Sequence, residues 1–421
     1  MPSGSLSAAV ATSRVRERLA RQERKQQLQG QQPPSGKQDR IYFNVEKGSI
    51  WVFEQPQSLG FSNVTTNCRM TVVKLKSGGL WVHAPIAPTK ECLRMLKELG
   101  APVEYIVLPT FAYEHKIFVG PFSRRFPKAK VWVAPSQWSW PINMPAQLFG
   151  IFPKGVLKDD ETATPWGDEI EHKVFKSSVG IGPYIEVAFF HKRTRTLLVT
   201  DAVVSVPEAP PELVKPEDLV SAAASNFFVR VLAGDLADEP VRGVPLKPTE
   251  LTPAVRDLGW QRMALQILYI VPGDLRDPLR GFRAIANRLI VSPIVATLVF
   301  STSPADSRRW VESICRDWNF RQIIPAHFSA PIPATPADLR AAFSFVFYDQ
   351  QQQGRRLGTQ EHLGNGSVAG GGGLLSGWFA RLGLGGSGGA AAKQGVVYPE
   401  EDIRALNSAK EFLKSAGVVN K

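Results

Sequence analysis

The 421 residues carry a formal charge of +12, 43% apolar side chains and only three cysteines, Cys68, Cys92 and Cys315, set far apart. With no CxxC pair and no Cys/His cluster, a disulfide framework and a zinc knuckle are both excluded as organising devices. A reducing compartment fits, with each cysteine a small buried hydrophobe. No stretch reaches the roughly 18 apolar residues of a membrane span, since Leu289 to Phe300 is short and contains Ser292 and Pro293, so the chain reads as soluble or peripheral.

Residues 1–40 hold eight Lys/Arg against Glu17, Glu23 and Asp39, which places +5 of the net charge in this arm. Its Ser/Ala-rich start, poor in acid and without an apolar core segment, has the composition of an organelle transit peptide, and equally that of a retained disordered basic tail. It ends in Gln31-Gln32-Pro33-Pro34-Ser35-Gly36. From Ile41 onward the pattern changes to short runs rich in Val, Ile, Trp and Phe: Ser49–Glu54, Met70–Leu75, Leu80–Ala84, Tyr105–Leu108 and Val131–Ala134. These read as strands. Lys90 to Leu99 sets Cys92, Leu93, Leu96 and Leu99 on one face and ends at Gly100, the pattern of an amphipathic helix.

Further strands are expected at Ile185–Phe190, Thr196–Thr200 and Gln322–Pro325, and residues 213–320 read as an inserted helical layer. The glycine-dominated stretch within 351–397 loses too much backbone entropy on ordering to fold alone and reads as a linker. Residues 398–421 follow with an acidic first turn, Glu400-Glu401-Asp402, and an apolar stripe of Ile403, Leu406, Ala409, Phe412 and Leu413, which predicts a short docking helix.

Three segments end apolar runs on residues able to hold a metal: Tyr105-Ile-Val-Leu-Pro-Thr110-Phe-Ala-Tyr-Glu114-His115-Lys116, Arg195-Thr-Leu-Leu-Val-Thr200-Asp201, and Phe320-Arg-Gln-Ile-Ile-Pro325-Ala-His327. Their order and separation resemble the metallo-β-lactamase superfamily. In that superfamily a strand ends in Thr-His-x-His-x-Asp-His, a later strand brings a bridging aspartate, and the last strand a histidine. Together with Val45–Glu54, Leu108-Pro109, Arg125-Phe-Pro127 and Glu186–His191, they make the chain most similar to a plant and cyanobacterial family known as domain of unknown function 4336. The resemblance implies an α/β fold over residues 41–350, a metallo-β-lactamase-like αββα sandwich with a helical insertion.

Carried across residue by residue, the motif is heavily altered. Phe111 and Tyr113 fall at two first-site histidines, and the third falls near Gly180-Ile181-Gly182, so the resemblance implies that the first metal site is lost. At the second site His115 stands for the aspartate and Lys116 for the last histidine, while Asp201 and His327 keep the family's residue types. His115, Asp201 and His327 suffice for one zinc or iron with an open position, with Glu114 as proton shuttle. Lys116 opposes this unless it points away or is neutralised by burial.

Plain structural readings stand beside these. Asp201 can accept backbone hydrogen bonds in a turn, His327 can sit satisfied on the rim, and His115 can cap a helix. His83 and His191 read as sheet residues, the latter near Arg193 and Arg195. Arg276, Arg280 and Arg283, with Arg288, Arg308 and Arg309 beyond, offer either a solvated face paired with Asp274 and Asp277 or a basic surface for lipid or RNA. Trp138, Trp140 and Phe149 read as packing beneath a loop.

The leading expectation is a degenerate, non-catalytic accessory protein of the chloroplast, or alternatively of the cytoplasm. It would have no cofactor, an unidentified protein partner and a peripheral contact with anionic membrane; nucleic acid is not expected. The alternatives are a mononuclear metal-dependent hydrolase of an ester, thioester or lactone, and an RNA-binding protein using the basic insert.

Overall fold

The computed structural model describes residues 41–58, 64–137, 143–159, 164–179, 182–224, 239–269, 272–347 and 398–415. The expected arm (1–40), the linker and the pair Trp138 and Trp140 lie outside them. In chain order the strands are β1 (Ile41–Glu46), β2 (Ile50–Ser58), β3 (Thr65–Lys74), β4 (Leu80–His83), β5 (Val103–Leu108), β6 (Lys130–Val133), β7 (Gly155–Val156), β8 (Ile170–Val179), β9 (Gly182–His191), β10 (Thr196–Leu198), β11 (Gln322–Ile324) and β12 (Ile332–Pro333). Among them run helices α1 (Lys90–Glu98), α2 (Tyr113–Ser123), α3 (Pro216–Ala223), α4 (Pro253–Tyr269), α5 (Leu279–Ile285), α6 (Pro293–Leu298), α7 (Pro304–Asp317), α8 (Pro336–Ala342) and α9 (Glu400–Ser415).

Two sheets result. Strands β1 to β7 lie side by side in chain order, antiparallel as far as β4 and parallel from there; the second sheet runs β12-β11-β10-β9-β8. The strict alternation of side chains along a strand explains why both sheets are buried on two faces. In the first sheet Trp81, Tyr105, Val107 and Trp132 turn inward to meet Ile185, Val187, Phe189 and Leu198 of the second. Their sequence neighbours Leu80, Val82, Ile106 and Val131 turn outward under α1 and α2. On the second sheet's outer face Phe190, Leu197 and Ile323 pack beneath α7 and α8 through Trp310, Ile314 and Leu339. Helix, sheet, sheet, helix is the layer order, so the αββα sandwich expected from the sequence is the observed fold.

Helix α1 matches its expected span. Thr89 caps it by accepting from Cys92 N at 3.3 Å, and Gly100 leaves it at φ +66°, a left-handed turn that glycine adopts without strain. The interval 213–320 divides in two. Helices α3 to α6 bury Trp260, Leu265, Phe282 and Ile285 in a core of their own, whereas α7 belongs to the outer layer of the sandwich. Helix α4 is buried on all sides from Leu258 to Leu265, whereas α7 buries a single face through Ser307, Trp310, Val311 and Ile314. Helix α9 docks on the insert through Leu406, but Phe412, expected in the same apolar stripe, is 68% exposed because only the first half of the helix is covered. Arg276 and Arg280 do pair with acids, but the partners are Glu239 and Glu401 rather than Asp274 and Asp277. Among the described residues no helix is long and apolar enough to cross a membrane.

Candidate metal centre

The site forms where β5, β10 and β11 end on the same side of the sandwich. At the tip of β5, Pro109 O accepts from Val187 N at 3.0 Å and Thr110 Oγ1 donates to Ile185 O at 3.1 Å, pinning the tip to β9. Ala112 N donates back to Thr110 Oγ1 at 3.2 Å, and α2 starts at once. Successive residues of a helix point about 100° apart, so the first turn distributes its side chains. Tyr113 is 61% exposed, Glu114 faces a cleft, His115 is fully buried beneath it, and Lys116 points elsewhere.

Asp201 follows β10. Glu186, buried in the middle of β9, accepts from Thr200 N at 2.6 Å, from Thr200 Oγ1 and from Asp201 N at 3.4 Å, which fixes the backbone that carries Asp201. Burial, reinforced by Asp201, pushes the Glu186 carboxyl up to about 8. The Asp201 carboxyl is itself pushed up to about 6 by burial, with His327 opposing and Glu114 adding to the shift.

His327 follows β11, and β3 holds its turn. Asn67 Nδ2 donates to Phe328 O at 3.1 Å, and Phe328 N donates to Asn67 Oδ1 at 2.8 Å. Arg69 Nη1 donates to Pro325 O at 2.5 Å, Nη2 donates to Phe328 O, and Nε donates to Glu54 Oε1 at 2.7 Å. His327 Nδ1 lies 2.8 Å from Asn67 O, an atom that only accepts, so Nδ1 carries the proton and the Nε2 lone pair is left to face the site. Between these two residues Cys68 places its Sγ 3.7 Å from His115 Nδ1. His115 Nε2 is buried with no hydrogen-bond partner. Burial, aided by His327 and His83, holds that imidazole neutral by lowering its pKa well below the usual value.

All four residues singled out in the sequence converge. One ligand atom each from Glu114, His115, Asp201 and His327 lies within 4.8 Å of every other, and His327 Nε2 is 3.4 Å from Asp201 Oδ1. Two imidazoles and the Asp201 carboxylate fit a single divalent zinc or iron with an open position, and the Glu114 carboxylate stands beside them. Lys116 does not intrude. Its Nζ lies 5.8 Å from the centre of the Phe149 ring, and burial lowers its pKa to about 8. At the first-site positions Phe111 packs edge-on against Tyr184, with ring centres 5.4 Å apart, and supplies no donor; Gly180 and Ile181 lie outside the described residues. His83 stacks on Trp81 in the core, and His191 pairs with Thr194 Oγ1 at 2.7 Å rather than with Arg193 or Arg195. Sequence reading missed Asn67, Cys68, Arg69 and Glu186. The available signal was polar residues inside apolar strands, Thr65-Thr-Asn-Cys-Arg-Met70 and Ile185-Glu-Val187.

The family described as Domain of unknown function (DUF4336) matches residues 47–280 and 276–345. The chain belongs to this family. No curated protein matches it. Among solved structures, this DUF4336 chain is similar to a metallo-β-lactamase from Pontibacter korlensis, with 12% identity over 73% of this chain and 98% of that one and a TM-score of 0.35. It is also similar to a metal-soaked flavodiiron core from Synechocystis sp. PCC6803, with 10% identity over 75% of this chain and 62% of that one and a TM-score of 0.39. The DUF4336 sandwich thus carries one possible metal-binding group among its described residues.

Proposed function

We propose that this protein is a mononuclear metal-dependent hydrolase, the reading held second on sequence alone. The observation that carries it is the convergence of Glu114, His115, Asp201 and His327, with one ligand atom of each within 4.8 Å of the others, at an open cleft of about 660 Å³ that Glu114, Asp201 and His327 line. Burial holds the His115 imidazole neutral and its Nε2 has no hydrogen-bond partner, so its ring is in the protonation state that a ligand needs. His115, His327 and Asp201 hold the ion, with His327 oriented by Asn67 O and Asp201 by the turn that Glu186 fixes. Zinc or iron bound there supplies Lewis acidity to polarise a carbonyl and to acidify a water. Glu114, half-buried at the cleft, would serve there as the proton acceptor and donor.

Elemental analysis of the purified protein, repeated after chelation and dialysis against zinc or iron(II), tests this reading. About one ion per chain is expected, falling to background in His327→Ala and in His115→Ala. A folded protein that takes up neither ion, or takes up the same amount in both variants, overturns it and returns the non-catalytic accessory role.

A further inference from the structure

The cleft above the candidate metal centre has a chemical character of its own. One wall is the insert, through Ile267 and Leu268 of α4 and Ile294 and Val295 of α6; the other is aromatic, through Phe111 and Tyr184. Apart from its tyrosines, its titratable lining residues among the described ones are Glu114, Asp201 and His327, with no lysine or arginine. Sites that recognise phosphate or carboxylate groups use Arg, Lys or a helix N-terminus aimed at the anion. The first turns of α2 and α6 reach the cleft at Ala112, Tyr113, Ser292 and Ile294, but α2 carries Glu114 in that turn and Asp201 lies beside it, so an anionic group entering here meets two carboxylates and no lysine or arginine.

Tyr184 is the second feature. Its ring is fixed by Phe111 at 5.4 Å, Phe300 at 6.0 Å and Phe175 at 6.2 Å between ring centres. Its hydroxyl is buried and has no hydrogen-bond partner. Burial, reinforced by the charges of Glu186, Asp201 and Glu114, keeps the phenol protonated by pushing its pKa well above the usual value. A phenol that stays protonated offers one donor and an acceptor oxygen, and a tyrosine hydroxyl buried on an apolar wall usually finds a partner.

We infer that the cleft is a binding site for uncharged carbonyl compounds with an apolar chain, the insert helices and Phe111 holding the chain and the Tyr184 hydroxyl donating to the carbonyl oxygen. This rests on the hydrolase reading for its biological sense, naming the substrate class that reading leaves open, but the selectivity comes from the walls and from Tyr184 and does not need the ion. Tyr184 is therefore a specificity-determining residue that touches the substrate.

The test uses the full chain stripped of metal, so that an anionic head cannot bind simply by ligating an ion. Octanamide and octyl phosphate, which share the chain and differ in the head, are titrated by calorimetry. Octanamide is expected to bind at least about tenfold more tightly than octyl phosphate, and Tyr184→Phe to weaken octanamide by about tenfold, one hydrogen bond's worth, with little effect on octyl phosphate. Ile294→Trp, which fills the wall, is expected to weaken both. Equal or tighter binding of octyl phosphate, or a Tyr184→Phe variant that binds octanamide as well as the parent, overturns the inference. The pattern seen in a protein that takes up no metal would leave this binding site standing and remove only the hydrolase; metal uptake without octanamide binding would do the reverse.

Discussion

His327 Nδ1 sits 2.8 Å from the main-chain oxygen of Asn67, and the Asn67 side chain in turn clamps both backbone groups of Phe328, the next residue. One strand residue thus sets the tautomer of the imidazole and the path of the chain that carries it. Metal-ligating histidines are oriented this way by their second nitrogen, and loss of the orienting group weakens metal binding about 10- to 100-fold.

Asn67→Ala is the corresponding test. It removes two buried hydrogen bonds at Phe328 while leaving the Asn67 carbonyl, so the turn is freed without a ligand being deleted. Metal affinity measured by competition with a chromophoric chelator is expected to fall by about 10-fold or more, and urea unfolding to show a loss of about 1–3 kcal/mol. Unchanged affinity would mean that the His327 turn is held by other contacts alone.

Arg69 separates stability from site geometry more sharply. It forms a buried ion pair with Glu54 and donates to the carbonyls of Pro325 and Phe328. Arg69→Met leaves Glu54 buried and uncompensated, at a cost of about 3–5 kcal/mol. Adding Glu54→Leu is expected to restore much of that stability, because the stranded charge is gone. Metal affinity is expected to stay low in the double variant, since the carbonyl clamps on the His327 turn are still missing. Recovery of both together would show that Arg69 acts on the site only through overall stability.

The contrast between Asn67 and His327 also shows how much the sequence conveys. Strands β2 to β6 and helix α1 are legible because burial on one or two faces imposes a period on the residues themselves, and His115, Asp201 and His327 are legible because each stands at a ligand position of the superfamily motif that its strand-closing segment resembles. Asn67, Cys68 and Arg69 close nothing. They stand in mid-strand, and their value depends on β11 arriving 256 or more residues later in the chain to present Pro325 O, His327 and Phe328. Strand β8 was missed for a related reason: its segment Ile170-Glu-His-Lys-Val174 carries three polar residues in a row and so lacks the alternation of a strand, and pairing with β9 is what makes it one. Tyr184 is packed by Phe111 and Phe300 from distant segments as well as by Phe175 of the paired strand, which no local pattern records.

His191 offers a pH prediction away from the candidate site. It is fully buried, its Nδ1 is satisfied by Thr194 Oγ1, and its Nε2 has no partner. Burial, with Arg193 and Lys76 adding to it, lowers its pKa from 6.5 to about 4. The folded state therefore binds the proton less readily than the unfolded chain. Its contribution is fully present above pH 6.5 and is lost as the pH falls through about 4, the unfolded state binding more protons across that window. His191→Gln is expected to flatten part of the decline in urea-unfolding stability between these limits. An unchanged slope would assign the acid sensitivity to other groups, His83 first, whose pKa burial lowers to about 3.

The docking of α9 on the insert bears on the cleft from behind. Asp402 Oδ1 accepts from Gly273 N at 3.0 Å, Arg280 pairs with Glu401 at 2.5 Å, and the Tyr398 hydroxyl donates to Val291 O at 2.8 Å, immediately before the residues that line the cleft wall at Ser292, Ile294 and Val295. The approach leaves no room for side chains on the insert: a Cβ at Gly273 would lie 2.3 Å from Glu401 O, and one at Gly281 would lie 2.4 Å from Asp402 Oδ2. The exposed Arg280–Glu401 pair contributes little, so the weight falls on Asp402, which is 2% exposed, and on the close packing. Asp402→Ala is expected to destabilise the chain by about 1–3 kcal/mol and to make residues 398–415 the first cut in limited proteolysis. Gly281→Ala should act in the same direction by forcing the helix away, whereas Arg280→Ala should leave both measurements near the parent. If the wall at Ile294 and Val295 depends on this support, Asp402→Ala also weakens octanamide binding while leaving zinc uptake intact, because none of the four donors touches the insert's far side.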